Sequence, residues 1–288
     1  MNPNNNKEQK STVIKIPKAI IYAGRFLQLF SKKWAANFAS KLFITPVKFP
    51  VPNRELPMLE AAYKSCLHVE NIDKEIVTYT YGSGTKRVLL VHGWSGRGTQ
   101  LIKIADELLA KGYQTISFDA PAHGKSKGKT TMMSEFISSI HAINNAYGPF
   151  EYAIGHSLGG ISLLNAVKQG LKIKKLVTIG AGNSITDICD IFIKNLELKQ
   201  EVSMIMKQGF DDIFDENIEN YSSYMAAKDV TIPVLVIHDK DDEEIPFESA
   251  VAICKELQNC STYFTEDLGH RKILGNKEVI DTTIAFLN

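Results

Sequence analysis

Two rhythms of apolar residues divide the chain. From Pro17 to about Leu42 they recur at helical spacing (Ile20, Ala23, Leu27, Phe30, Trp34, Phe38, Leu42) with lysines between them, which predicts one or two amphipathic helices. Pro46, Pro50, Pro52 and Pro57 then punctuate the sequence. After Tyr63 short β-rich runs alternate with helical ones, the pattern of a parallel sheet flanked by helices. Strands are expected at Glu75–Tyr81, Arg87–Val91, Gln114–Phe118, Tyr152–Ile154, Lys175–Ile179, Val234–Ile237 and Thr262–Thr265, with helices near 100–111, 132–146, 158–169, 247–258 and 276–287.

One connection breaks the rhythm. Residues 183–229 separate two expected strands, too many for a simple crossover, and their spaced apolar positions (Ile188, Phe192, Leu196, Val202, Met206, Phe210, Phe214) predict a helical lid. The expected organisation is therefore a basic helical segment over 1–62, an α/β core over 63–182 and 230–288, and the lid insertion between the two parts of the core. The polar, Asn/Lys-rich residues 1–12 are expected to be disordered.

With 288 residues, 44% of them hydrophobic, the chain can bury a large core. The formal net charge of +1 provides no basic field for nucleic acid. Its distribution says more: residues 1–50 hold nine Lys or Arg against Glu8 alone, so a basic N-terminus accompanies a body of net negative charge. Such a helix can make weak contact with a membrane surface, although packing of its apolar face on the body is the stronger expectation. The apolar run Ala19–Phe30 is interrupted by Arg25 and is shorter than the ~20 residues a spanning helix needs. Cys66, Cys189, Cys254 and Cys260 form no metal-ligand or disulfide spacing, which favours reduced thiols, no metal and a cytoplasmic location.

The sharpest motif is Gly155-His156-Ser157-Leu158-Gly159, between an apolar strand and a helix. G-x-S-x-G in that setting is a nucleophile elbow, a tight turn that exposes the serine hydroxyl at the N-terminus of the following helix. His92-Gly93-Trp94-Ser95-Gly96-Arg97 follows an earlier strand, and its backbone can supply an oxyanion donor beside that of Leu158. Downstream, His238-Asp239-Lys240-Asp241-Asp242-Glu243-Glu244-Ile245-Pro246 places acids at a strand end, and Leu268-Gly269-His270 precedes the last helix. Serine, acid and histidine thus occur in an order compatible with a catalytic triad.

On these residues, together with Phe118-Asp119-Ala120-Pro121-Ala122-His123-Gly124-Lys125-Ser126, the run from about Glu75 to the C-terminus resembles the α/β-hydrolase superfamily. The resemblance implies an eight-stranded, mostly parallel sheet, a cap after the sixth strand, no cofactor, and a Ser157/Asp242/His270 triad with Trp94 and Leu158 as oxyanion donors. Asp242 is chosen because the family's acid commonly lies four residues before a proline, a register met by Asp242, Ile245 and Pro246 and missed by Asp241. His68, His141, His156 and His238 are expected to be structural or solvent-facing, and His123 to shape a loop. The expected reaction is hydrolysis of a carboxylic ester through an acyl-enzyme, with a thioester or carbon–carbon bond as the alternative, and a non-catalytic binding protein disfavoured because no triad member is missing. Substrate contact is expected from Gly93 and from Met206 and Phe210 of the lid. The lid's ten acids against four lysines favour a small or medium, neutral apolar acyl group.

Overall fold

Successive strand residues point to opposite faces of a sheet, and where both faces are covered the strands become continuously apolar. Val88-Leu89-Leu90-Val91 shows this: Val88 and Leu90 join one buried cluster, Leu89 and Val91 another. The computed structural model describes residues 16–288, so the segment 1–12 lies outside the described residues. Its sheet comprises β1 (Tyr63–Val69), β2 (Lys74–Tyr81), β3 (Lys86–Val91), β4 (Tyr113–Asp119), β5 (Tyr152–His156), β6 (Lys175–Ile179), β7 (Val234–Asp239) and β8 (Cys260–Thr265). The spatial order is β1-β2-β4-β3-β5-β6-β7-β8; β2 is antiparallel to β1 and β4, and every other pair is parallel. This is the α/β-hydrolase fold.

Helices close the two faces. Helices α5 (Met133–Tyr147), α6 (Leu158–Lys168), α9 (Ser223–Ala227) and α10 (Glu248–Glu256) cover one face, and α3 (Leu56–Ala61), α4 (Ile102–Ala110) and α12 (Lys277–Leu287) cover the other. The short α11 (Gly269–Lys272) carries the C-terminal histidine motif. Strand β1 is the one the sequence pattern did not resolve. It is an edge strand in which Val69 alone is buried, so no apolar run marks it.

A third apolar cluster lies outside these two. Helices α1 (Lys18–Phe30) and α2 (Lys32–Phe43) pack with α7 (Ile185–Asn195) and α8 (Gln200–Phe214), the last two falling in the insertion between β6 and β7. Ala35, Ala36 and Ala39 of α2 meet Ile193 of α7 and Val202, Met206 and Phe210 of α8. The expected segment 1–62 is therefore split: α1 and α2 join the inserted helices, whereas Met58 of α3 sits in the body core. Ser31 ends α1 in extended conformation, and its hydroxyl accepts from Trp34 N–H to cap α2. That break interrupts the helical period, which is why Phe30 and Trp34, read as inward positions, face solvent.

The cysteine expectation requires correction. Cys254 and Cys260 are joined by a disulfide, because the turn from α10 into β8 brings their Cα atoms to 5.5 Å, within bonding geometry. This removes the cysteine pattern as support for a reducing compartment. No helix among the described residues is long and apolar enough to cross a membrane.

Candidate active site

The chain leaves β3 toward β4 on one side and reaches β5 on the other, so a crevice opens at the carboxyl ends of β3 and β5, where ligands bind in open α/β sheets. Ser157 follows β5 there with φ 52° and ψ −121°, a costly backbone state for a residue with a side chain. The turn is held by Ser157 N–H donating to Ile179 O at 2.9 Å and by Gly160 N–H donating to Ser157 O at 2.9 Å. Gly159 is obligatory, since a Cβ there would lie 2.4 Å from Val91 O. Leu158 is the first residue of α6, so its N–H has no partner within the helix.

Past β7 and β8, two and three strands away, Asp242 Oδ2 and His270 Nδ1 are 2.7 Å apart, and both side chains are buried. Asp242 Oδ1 accepts from Glu244 and Ile245 N–H, each at 2.9 Å, which explains why the acid precedes Ile245-Pro246 at fixed spacing. Burial would raise the Asp242 pKa, but the hydrogen bond and charge of His270 outweigh it and hold the carboxyl below its usual range. Asp241 is exposed and accepts from Asp267 N–H, so it does not face the imidazole. Asp239 ends β7 as expected and also braces the histidine loop. Its carboxylate accepts from Thr265 Oγ1 and from Leu268 and Gly269 N–H, pinning the turn that delivers His270.

The loop after β3 meets the nucleophile directly. A Cβ on Gly93 would stand 2.9 Å from Ser157 Cβ and 2.8 Å from His156 Nδ1, so only glycine allows this approach. Gly93 N–H donates to Gln100 Oε1 at 2.9 Å and Ser95 N–H to His123 Nε2 at 3.0 Å. The N–H between them, on Trp94, has no such partner among the described residues. His92 accepts from Ala120 N–H at 3.0 Å and contacts Gly93 O at 2.7 Å through its other nitrogen. Burial lowers the pKa of His92 to about 4 and that of His123 to about 3, so both are neutral bonding groups. Asp119 completes the scaffold by accepting from Gly98 N–H, Lys125 N–H and Tyr79 Oη.

Three further placements refine the sequence expectations. His156 takes the structural alternative, buried beside the histidine loop: its Nε2 lies 2.9 Å from His270 O, its ring is 4.6 Å from the His270 ring, and burial lowers its pKa to about 3. His238 is also buried, 3.0 Å from Ile245 O and 3.5 Å from Asp242 Oδ2. The sequence signal for both was adjacency to a motif residue, Ser157 for one and Asp239 for the other. Met206 and Phe210, expected to touch substrate, are 1% and 4% exposed inside the helical layer, where Phe210 packs on Phe43. Packing occupies their side chains, which corrects that expectation. One cavity lies behind the Trp94 loop, lined by Phe49, Tyr79, Ser95, Arg97 and His123, and another at the seam of α7 with the acid loop, lined by Asn183, Asp187, Ile245 and Glu248. Neither is lined by Ser157 or His270.

Residues 86–220 match the family described as alpha/beta hydrolase fold. The chain is 22% identical, over 264 residues, to the 2-hydroxy-6-oxononadienedioate/2-hydroxy-6-oxononatrienedioate hydrolase of Escherichia coli K12, covering 74% of this chain and 91% of the relative. Among solved structures it is similar to an esterase from Exiguobacterium antarcticum (TM-score 0.61, 20% identity, 78% of this chain and 99% of that one). It is also similar to a bacterial membrane phospholipase A (TM-score 0.62, 14% identity, 94% of this chain and 96% of that one).

Proposed function

We propose that the chain, which has the α/β-hydrolase fold and matches that family over residues 86–220, is a serine hydrolase cleaving a carboxylic ester of a small or medium, neutral apolar acyl group. The observation that carries this reading is the presence of a strained Ser157 elbow after β5 and a buried His270–Asp242 couple after β8 and β7, at the same end of one sheet. With Nδ1 engaged by Asp242, Nε2 is the basic nitrogen of His270 and removes the Ser157 proton as Oγ attacks the carbonyl. The N–H groups of Leu158 and Trp94 receive the developing oxyanion. The alcohol leaves with the proton from His270, and water, activated by the same imidazole, releases the acid from Ser157. Asp242 fixes the tautomer and stabilises the imidazolium without taking the proton.

A fluorophosphonate probe is expected to label the native protein at Ser157, and Ser157→Ala to lose both labelling and esterase turnover by several orders of magnitude. Unchanged turnover in a folded Ser157→Ala protein would end this reading.

Thioester or carbon–carbon bond hydrolysis by the same triad is the second reading. The curated relatives are named for a dienedioate, a dicarboxylate. The ten acids against four lysines of residues 183–229 disfavour a dianion here, and a panel of neutral and anionic substrates of equal length at low salt separates the two readings.

A further inference from the structure

A helix that is apolar on every side is normally buried on every side. Helix α1 departs from that rule. Ile20 and Leu27 pack against the helical-layer core, while Tyr22, Phe26, Leu29 and Phe30 on the opposite side are 63%, 60%, 82% and 68% exposed. Trp34, across the break into α2, is likewise 59% exposed. Positions 18, 22, 26, 29 and 30 of α1 share one helical stripe, so Lys18 stands at the N-terminal end of the aromatic centre while Lys33 follows the Ser31 break just past its C-terminal end, and Phe26 and Phe30 meet edge-on at 5.0 Å.

Charge selects what covers this face. Residues 18–43 contain Lys18, Arg25, Lys32, Lys33 and Lys41 and no acid. Arg25 and Lys32 are tied to Glu197 and Glu201 of the helical layer, whereas Lys18, Lys33 and Lys41 are ion-paired to no other described residue. The sequence ahead of α1 adds Lys7, Lys10 and Lys15 against Glu8 alone. A second copy seated on the same face would bring these cations together, which repels. An anionic bilayer offers the complement, acyl chains for Phe26, Leu29 and Phe30 and lipid phosphates for the lysines, with Tyr and Trp suited to the boundary. At 13 residues α1 is about 20 Å long, too short to cross and long enough to lie in the interface.

We propose that the aromatic, cation-bracketed face of α1 and Trp34 docks the protein on an anionic lipid surface. The chain beyond α2 runs to the active site, where Val47 N–H donates to Ser95 Oγ at 3.0 Å, so the docked helices are tethered to the loop carrying Trp94. Docking requires no catalysis, and Ser157→Ala is expected to dock like the native protein.

The test is co-sedimentation of the full chain with phosphatidylcholine–phosphatidylglycerol vesicles and with pure phosphatidylcholine vesicles, at low and high salt. The native protein should pellet with the anionic vesicles at low salt and lose most of that binding on neutral vesicles or in high salt. The triple variant Phe26→Ser, Leu29→Ser, Phe30→Ser should bind at least about tenfold more weakly while turning over a soluble ester normally. Lys18→Gln with Lys33→Gln, which leaves the apolar residues in place and decides the matter should the triple variant not fold, should bind several-fold more weakly to anionic vesicles. Val251→Ser, at an exposed apolar position elsewhere, should bind normally. The proposal is overturned by absence of native binding, by binding that survives both the triple and the lysine variants, or by a native dimer in sedimentation velocity that the triple variant dissociates.

Discussion

All four carboxylate oxygens of Asp239 and Asp242 have named partners, whereas the layer of α1, α2, α7 and α8 is held by apolar side chains inside and exposed ion pairs outside. The first region fixes atoms to within a hydrogen bond and tolerates few substitutions. The second needs only volume and pattern, so its surface is free to carry other chemistry. The sharpest way to break the contrast is at the acid. Asp242→Asn keeps the shape and removes the charge and tautomer control, and should lower kcat about 10⁴-fold. Asp241→Asn, one residue away and exposed, should turn over normally. Steady-state kinetics on one soluble ester checks both, and loss in Asp241→Asn with activity retained in Asp242→Asn would move the acid by one residue.

The same contrast governs what could be read from sequence. Body strands show as apolar runs because both faces are covered, and Ser157, His270 and Asp242 stand in motifs whose spacing reflects local bonds, such as Asp242 Oδ1 to Ile245 N–H. Positioning residues that act across distant segments stood beside the motifs, but their partners left no local trace. His156 reaches His270 O over 114 positions, and Asp239 reaches Gly269 N–H over 30. In the helical layer the spacing of Met206 and Phe210 announced an apolar face but not its partner, which proved to be α2 rather than a substrate. The opposite charges of residues 1–50 and 183–229 foreshadowed their contact, realised by Arg25–Glu197 and Lys32–Glu201.

Acid should separate the regions as well. His92, His123 and His156 have folded-state pKa values near 4, 3 and 3, against about 6.5 when unfolded. Between these limits the unfolded chain binds protons that the folded body refuses, so stability present above about pH 6.5 is lost as pH falls toward 4, by about 1 kcal/mol per pH unit for each histidine. Asp119, whose burial raises its pKa, works in the opposite sense. The helices of the layer contain no histidine. Trp94 stacks edge-on to His123 at 5.2 Å and reports the body once Trp34 is replaced by Phe. Urea midpoints followed by Trp94 fluorescence should fall steadily from pH 7 to pH 4; a flat profile would mean that these histidines protonate in place.

The smallest effects belong to the surface of the helical layer, and they decide what holds it. Met206 is buried among Val202, Phe210 and the α2 alanines, so Met206→Ala removes packed volume and should cost about 2–5 kcal/mol in urea unfolding. Because Met206 lines neither cavity, kcat on a small soluble ester should stay within about threefold of native, the change expected when the transition state keeps its contacts. Arg25–Glu197 and Lys32–Glu201, both at 2.9 Å, look like stronger fasteners on distance alone. All four side chains are about half exposed, however, so water and salt screen the attraction and ordering two long side chains offsets much of the remainder. Arg25→Gln and Lys32→Gln should therefore each cost under about 1 kcal/mol, a loss that high salt reproduces in the native protein. If either costs more than Met206→Ala, charge rather than packing fastens α1 and α2 to the inserted helices, and the contrast between a bonded site and a packed layer fails.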